Sequence, residues 1–354
     1  PAVGPNSTTQ STDHFIPYSY TADNTDNKAR TGMGFQPDFL WIKCLGTAFS
    51  NGLYDSSRGA NQYLSSNTTG ANNGTYDLMS SFDSDGFTTQ TDSSSGNIWN
   101  YSSDNYVAWS WKANGGTTTT NDASATGVGS IDSVYQANTT AGFSIVTYTG
   151  TGSAGTIAHG LGAVPKFILI KNRDDATNWR VYHGQTGASD PETDYMYLNL
   201  TNTLADGVYM NDTAPTSSVF SIGTHNDVGS SGDDYIAYLW AEVDGMSKFG
   251  KFKSNGNANG EYIYLGFKPA LFVAKSTAGA RAWIALDNAR PGYNPTGNYV
   301  YWNYSNAEGG AGSEYVDLLS NGVKIRTTGA TIASAENYVY MAWAEMPQKY
   351  SLAR

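Results

Sequence analysis

One ten-residue outline occurs three times along the chain, as GFQPDFLWIK at 34–43, GAVPKFILIK at 162–171 and GFKPALFVAK at 266–275. A second outline trails each of them: DNYVAWSWKA at 104–113, DDYIAYLWAE at 233–242 and ENYVYMAWAE at 336–345. From Gly34 to Gly162 is 128 positions and from Gly162 to Gly266 is 104; from Tyr106 to Tyr235 is 129 and from Tyr235 to Tyr338 is 103. Two independent markers that keep step to one residue define an internal repeat. Any fold proposed for this chain must use one structural recipe three times.

The strips also say what the recipe is. Gly34, Gly162 and Gly266 suit a turn conformation closed to other residues. Pro37, Pro165 and Pro269 fix φ and suit a strand start. The run Phe39-Leu40-Trp41-Ile42 is apolar on both faces of a strand, so both faces must be covered. In the closing strip Val107, Trp109 and Trp111 share one face, with Tyr106 and Ala108 on the other. Between these two core strands lie short alternating stretches broken by turn residues, with Asp85-Gly86 and Asn321-Gly322 as hairpin signals. About six to eight short strands in roughly 100 residues predict an all-β fold of three tandem antiparallel, jelly-roll-like β-sandwiches. A propeller, the rival, repeats at about half this period. The few charges, 14% of the chain, and the 39 Gly and 25 Tyr fit strands and tight turns better than helices.

The expected divisions are an N-terminal segment 1–12, repeats at 13–113, 142–245 and 246–354, and a Gly/Thr/Ser-rich linker at 114–141. With no such spacer after residue 245, the second and third units are expected to pack as a pair and the first to stand apart.

The net charge of −11, without a basic patch, argues against nucleic acid and against an anionic membrane surface. No apolar run reaches the ~18 residues of a membrane span, and no signal peptide is visible. Cys44, the single cysteine, follows an apolar strip and reads as a buried, inert thiol.

The first unit, with GFQPDFLWIK, LYDSSRGANQYLSSN, SFDSDGFTTQTD and YVAWSWKANGG in that order, resembles a repeat common in bacteriophage tail-fibre and other virion surface proteins, especially of marine and environmental phages. The later units resemble it too, through YTGTGSAGTIAHGLGAVPKFILIKNRDDATNWRVYH and NDTAPTSSVFSIG in the second. The resemblance runs from about residue 13 to the C-terminus. It implies a virus-particle component, other virion proteins as partners, a homo-oligomer such as a trimer, and a place on the particle exterior. It carries no catalytic residues over. The Asp-x-x-Arg element typical of the family is present as Asp55/Arg58 and Asp287/Arg290, whereas the second unit has Tyr182-His183-Gly184 in that region.

The residues themselves offer little chemistry. Asp55/Arg58 and Asp287/Arg290 recur at matching places and read as structural ion pairs, with an anion or sugar contact as the alternative. DNTDN (23–27), DSDG (83–86) and RDDATN (173–178) match no EF-hand and read as solvated turns, so no metal or other cofactor is called for. Glu242, Glu308, Glu314 and Glu345 are candidate carboxylates for glycan hydrolysis, but Glu242 and Glu345 recur by duplication, which fold explains better than catalysis. Aromatic faces beside amides and hydroxyls suit sugars, which makes Trp99, Tyr101, Trp302 and Tyr304 the candidate ligand contacts; packing between units is the competing reading. The expectation is a non-enzymatic structural protein of a phage particle, a tail fibre, spike or other surface component, contacting host glycan through its loops. A soluble carbohydrate-binding module and a glycan depolymerase are the alternatives.

Overall fold

The structure, a computed structural model, describes residues 10–72, 74, 78–91, 99–101, 103–187, 189–290, 292–309 and 315–345. Twelve strands build its frame. The first four are β1 (Phe15–Thr21), β2 (Phe39–Cys44), β3 (Gly52–Asp55) and β4 (Asn105–Trp111). The next four are β5 (Phe143–Thr149), β6 (Pro165–Asn172), β7 (Arg180–His183) and β8 (Asp234–Ala241). The last are β9 (Ser247–Lys253), β10 (Pro269–Ser276), β11 (Ile284–Asp287) and β12 (Asn337–Ala344).

All pairings in these sheets are antiparallel, and the orders correspond: β1-β4-β2-β3, then β5-β8-β6-β7, then β9-β12-β10-β11. The registers correspond as well. Trp111 faces Phe15 and Phe39, Trp240 faces Phe143 and Phe167, and Trp343 faces Ser247 and Leu271. Trp41, Leu169 and Val273 therefore occupy matching places, opposite Trp109, Tyr238 and Met341. The glycines that open the strips all adopt left-handed φ, 76° at Gly34, 67° at Gly162 and 86° at Gly266, and Pro165 and Pro269 are the first residues of β6 and β10.

Alternation along these strands sorts the two apolar faces. One face of every sheet enters a single shared core: Phe39, Trp41, Val107 and Trp109 from the first, Phe167, Leu169, Ile236 and Tyr238 from the second, Leu271, Val273, Val339 and Met341 from the third. The other face of each sheet packs on a smaller sheet of its own unit. Leu40, Ile42 and Tyr106 meet Met79 and Phe87; Ile168, Ile170 and Leu239 meet Ile157 and Phe220; Phe272, Ala274 and Ala342 meet Ile263 and Val323. Each unit is thus two layers deep, and the three inner layers close on one another.

Three tryptophans show the arrangement most directly. Trp111, Trp240 and Trp343 hold equivalent positions and pack edge to face in a triangle, with ring centroids 5.3 to 5.9 Å apart. All three indole N–H groups are buried without an oxygen acceptor and are surrounded by aromatic rings, which are weak acceptors at best.

This shared core corrects two expectations. The first unit is not set apart from a pair; Phe39 stacks on Tyr238 at 4.2 Å and Trp41 on Trp302 at 4.0 Å. Residues 114–141 are not a loose linker either. They contain the strands Thr119–Asn121 and Ser133–Asn138, and the latter covers the edge of β5 along its length. A Ser/Gln/Asn-rich strand can form there because an edge asks for backbone pairing more than for apolar side chains. Gln136 Nε2 then ties it to the first unit through Ser56 and Ser57 Oγ. The two signalled hairpins form with Ser84-Asp85 and Ser320-Asn321 as their loops and the glycine as the first paired residue. Cys44 is buried and unpaired, its thiol pushed up by burial.

Candidate functional site

Some of the buried charges lie in the seams between units, whereas the buried Arg180–Asp227 pair and Lys171 bond within the second unit. Asp55 and Arg58 form an ion pair at 2.5 Å with both side chains fully buried, and Asp287 and Arg290 do the same at 3.0 Å. Each carboxylate also accepts from the next unit: Asp55 from Tyr238 Oη at 2.6 Å, Asp287 from Trp109 Nε1 at 3.0 Å. Tyr238, Trp109 and Met341 are register equivalents. The second unit's departure from the Asp-x-x-Arg element now has a cause. Its seam faces Met341, which offers no polar hydrogen, and a carboxylate there would be buried without that donor. His183 occupies the position instead, opposite Phe167 as Asp55 is opposite Phe39. Burial holds its imidazole down to about 4 and so neutral, with Nδ1 accepting from Gln185 N and Nε2 within 3.2 Å of Tyr340 O in the third unit. That geometry assigns the proton to Nε2, which donates to the carbonyl.

A second ring of contacts runs the opposite way. Trp179 Nε1 donates to Ser65 O of the first unit, Trp283 Nε1 to Tyr197 O of the second, and Asn51 Nδ2 to Tyr304 O of the third, at 2.8, 2.8 and 3.0 Å. Lys43, Lys171 and Lys275, the last residues of the three opening strips, are fully buried on the inner faces. Among the described residues their ammonium groups bond only to carbonyls: Lys43 to Phe49 O and Ser305 O, Lys275 to Thr201 O and Ser276 O, Lys171 to Asn172 O and Asp175 O. Burial pulls all three down to about 8.

The seam between the first and third units opens into a cleft of about 470 Å³, lined by Ser19, Thr21, Leu45, Asn105, Arg290 and Glu308. A smaller cleft of about 240 Å³ occupies the matching place in the second unit, with Thr147, Thr149, Arg173 and Asp234. Both are lined about equally by polar and apolar surface. In the larger one Glu308 is held by Arg290 at 2.9 Å. The other carboxylates proposed for hydrolysis are also engaged: Glu242 accepts from Phe249 N and Glu345 pairs with Lys268 at 2.6 Å, while Glu314 lies outside the described residues. Among the described residues, no group of three His, Cys, Asp or Glu side chains comes together to hold a metal ion.

Of the four aromatics expected to touch ligand, two cannot. Trp99 is fully buried, its Nε1 donating to Tyr54 Oη at 2.6 Å and its ring filling the space that Gly52 leaves by lacking a Cβ. Trp302 is buried against Trp41. Both serve packing, because a partner remote in sequence supplies the ring face that a sugar would otherwise take. Tyr101 and Tyr304 remain exposed, 47% and 41%, near the seam between the first and third units, and neither lines the larger cleft. Tyr101 meets Phe49, whose carbonyl Lys43 holds together with that of Ser305, the residue after Tyr304. Sequence reasoning missed the lysines, although their identical place in all three strips was a usable signal.

Fold and seams together define an all-β protein in which three like sheets share one core, with two buried Asp–Arg pairs bonded across the seams. The chain belongs to the family described as Domain of unknown function (DUF7483), whose model matches residues 10–347. No curated protein and no solved structure matches it.

Proposed function

We propose that this chain is a non-catalytic structural component of a bacteriophage particle, carried on its exterior as part of a fibre, spike or other surface element. The phage assignment comes from the likeness of its repeats to virion surface proteins. The non-catalytic part is supported by one observation: several of the buried ionisable groups that would otherwise invite a catalytic reading are committed to the seams, and Arg180, Asp227 and Lys171 are engaged inside the second unit. Asp55/Arg58, Asp287/Arg290, His183, Lys43 and Lys275 all bond to a neighbouring unit or sit in a pair that does. Groups fixed this way stabilise an assembly and are not poised to exchange protons with a substrate.

The three units read as tandem descendants of one sandwich whose threefold arrangement is internal. A homotrimer would have to associate through other surfaces, because the inner apolar faces are already covered by sister units. The test is mass spectrometry and immunogold labelling of gradient-purified particles. Gold on the particle exterior is expected; a chain absent from washed particles refutes the assignment. Release of reducing ends from host polysaccharide by the purified chain would instead establish the depolymerase alternative.

A further inference from the structure

Comparing the three units with one another separates what the fold needs from what it leaves free. Each small outer sheet has an edge strand packed on its own unit: Lys28–Thr31, Gly155–Ala158 and Tyr262–Tyr264. The inward residue is buried every time, as Arg30, Ile157 and Ile263. Outward, the first strand shows Ala29 and Thr31 and the second Thr156, with Ala158, at the place of Tyr264, buried; the third shows Tyr262 and Tyr264, 45% and 60% exposed. The same scaffold closes without aromatics at these positions in two units out of three, so packing does not require them in the third.

The two rings belong to a flat, open face. Tyr262 lies beside Lys324 and then Asp317 across the sheet, and Tyr264 beside Gly322 and then Leu319. Gly322 keeps the floor clear, since a Cβ there would come within 3.0 Å of the Tyr262 ring and 2.2 Å of Ile263 O. Tyr262 Oη is fixed by Asn321 Oδ1 at 2.5 Å, and Lys248 Nζ stands 5.2 Å from the centre of the Tyr264 ring. Lys251 and Lys253 follow on the free edge strand β9, both exposed, but they alternate with Lys248 onto the opposite face of that strand, the face of Phe249. The ion pairs of this unit take up Lys268, Arg281, Arg290 and Arg326; among the described residues Lys248 and Lys324 join no ion pair, and Lys324 Nζ donates to Gly260 O at 2.5 Å. On a chain of net charge −11, Lys248 and Lys324 set two cations beside two stacking surfaces.

We propose that the outer face of the third unit's small sheet, centred on Tyr262 and Tyr264 with Lys248 and Lys324 at its margin, is a binding platform for an acidic polysaccharide. Tyrosine faces take the C–H faces of pyranose rings, Asn321 and the phenols meet hydroxyls, and the lysines attract carboxylate or sulfate. A soluble module would present the same face as a particle component.

Affinity electrophoresis of the full chain in native gels cast with alginate, hyaluronate, dextran sulfate or neutral dextran tests it. Retardation is expected in at least one acidic gel and not in dextran. Tyr262→Ala/Tyr264→Ala should lose about tenfold in apparent affinity, Lys248→Ala should flatten the salt dependence, and Tyr293→Ala, 95% exposed elsewhere, should match the parent. Unchanged thermal midpoints will show that these surface variants are folded. Absence of retardation in all three acidic gels, equal retardation in dextran, or a double Tyr variant bound as tightly as the parent each overturns the proposal.

Discussion

Changing His183 to Asp makes the second unit copy its sisters at that position, yet it should be the most damaging one-residue change in the seams. Asp55 is satisfied by three donors, Arg58 Nε at 2.5 Å, Arg58 N at 2.8 Å and Tyr238 Oη at 2.6 Å. At position 183 the counterpart of Arg58 is Thr186 and the counterpart of Tyr238 is Met341, so an aspartate keeps at most a backbone N–H. Two charge-assisted bonds are missing, each worth about 1.5–3 kcal/mol, which agrees with the roughly 3–5 kcal/mol lost when a buried pair is left without one partner. Burial without donors raises the new carboxyl above its unfolded value. Folding then takes up a proton in the window between the two, and the penalty grows as pH rises from 5 to 8. Urea melts at both pH values, read with an unchanged m-value, measure it. Adding Thr186→Arg and Met341→Tyr supplies both donors and should recover most of the loss. A His183→Asp variant as stable as the parent, or a triple variant as weak as the single, would refute the seam equivalence on which the argument rests.

The three inner lysines give an alkaline signature. The unfolded chain holds their protons to about 10.5 and the folded chain releases them near 8, so stability should rise with pH across that window, by at most about 3 kcal/mol per lysine. Above about pH 10 the buried tyrosines, among them Tyr20 and Tyr54, reverse the slope, because unfolding frees phenols that burial keeps protonated; Lys275→Met should remove about a third of the rise in a pH series of melts. His159 and His183, both held down to about 4 by burial, act at the other end: the unfolded imidazoles protonate below about 6.5 while the folded ones resist, so stability should fall from pH 6.5 toward 4, and more gently in His159→Gln. Replacing residues 117–138 by a Gly/Ser chain of equal length should uncover the β5 edge and produce concentration-dependent association in light scattering, whereas a true linker would tolerate the exchange.

Much of the frame was legible in the strips themselves. The positive-φ glycines, the strand starts at Pro165 and Pro269, the doubly apolar strands and the two Asp–Arg pairs stand where their residue types place them, whereas Pro37 precedes its strand by two residues. What covers those strands was not legible, because an apolar face such as Trp41 and Phe39 does not name its partner, and here the partners Trp302 and Tyr238 lie in other units. Trp99 and Trp302 misled for the same reason: next to Asn and Ser, a buried ring and a sugar platform look alike in one dimension. The strand Ser133–Asn138 escaped because its stability comes from pairing with β5 and from Gln136, not from an apolar period. Lys43, Lys171 and Lys275 ran against the usual rule that lysine faces water, which holds unless carbonyls are positioned to receive it.

In an assembly of three identical chains, every mutation is written three times and every surface changes in step. Here the threefold object is inherited as one polypeptide. One seam carries a neutral imidazole where the other two carry a charged clasp, and one outer sheet carries tyrosines that its sisters lack. Evolution can therefore edit a single facet while the other two hold the shape.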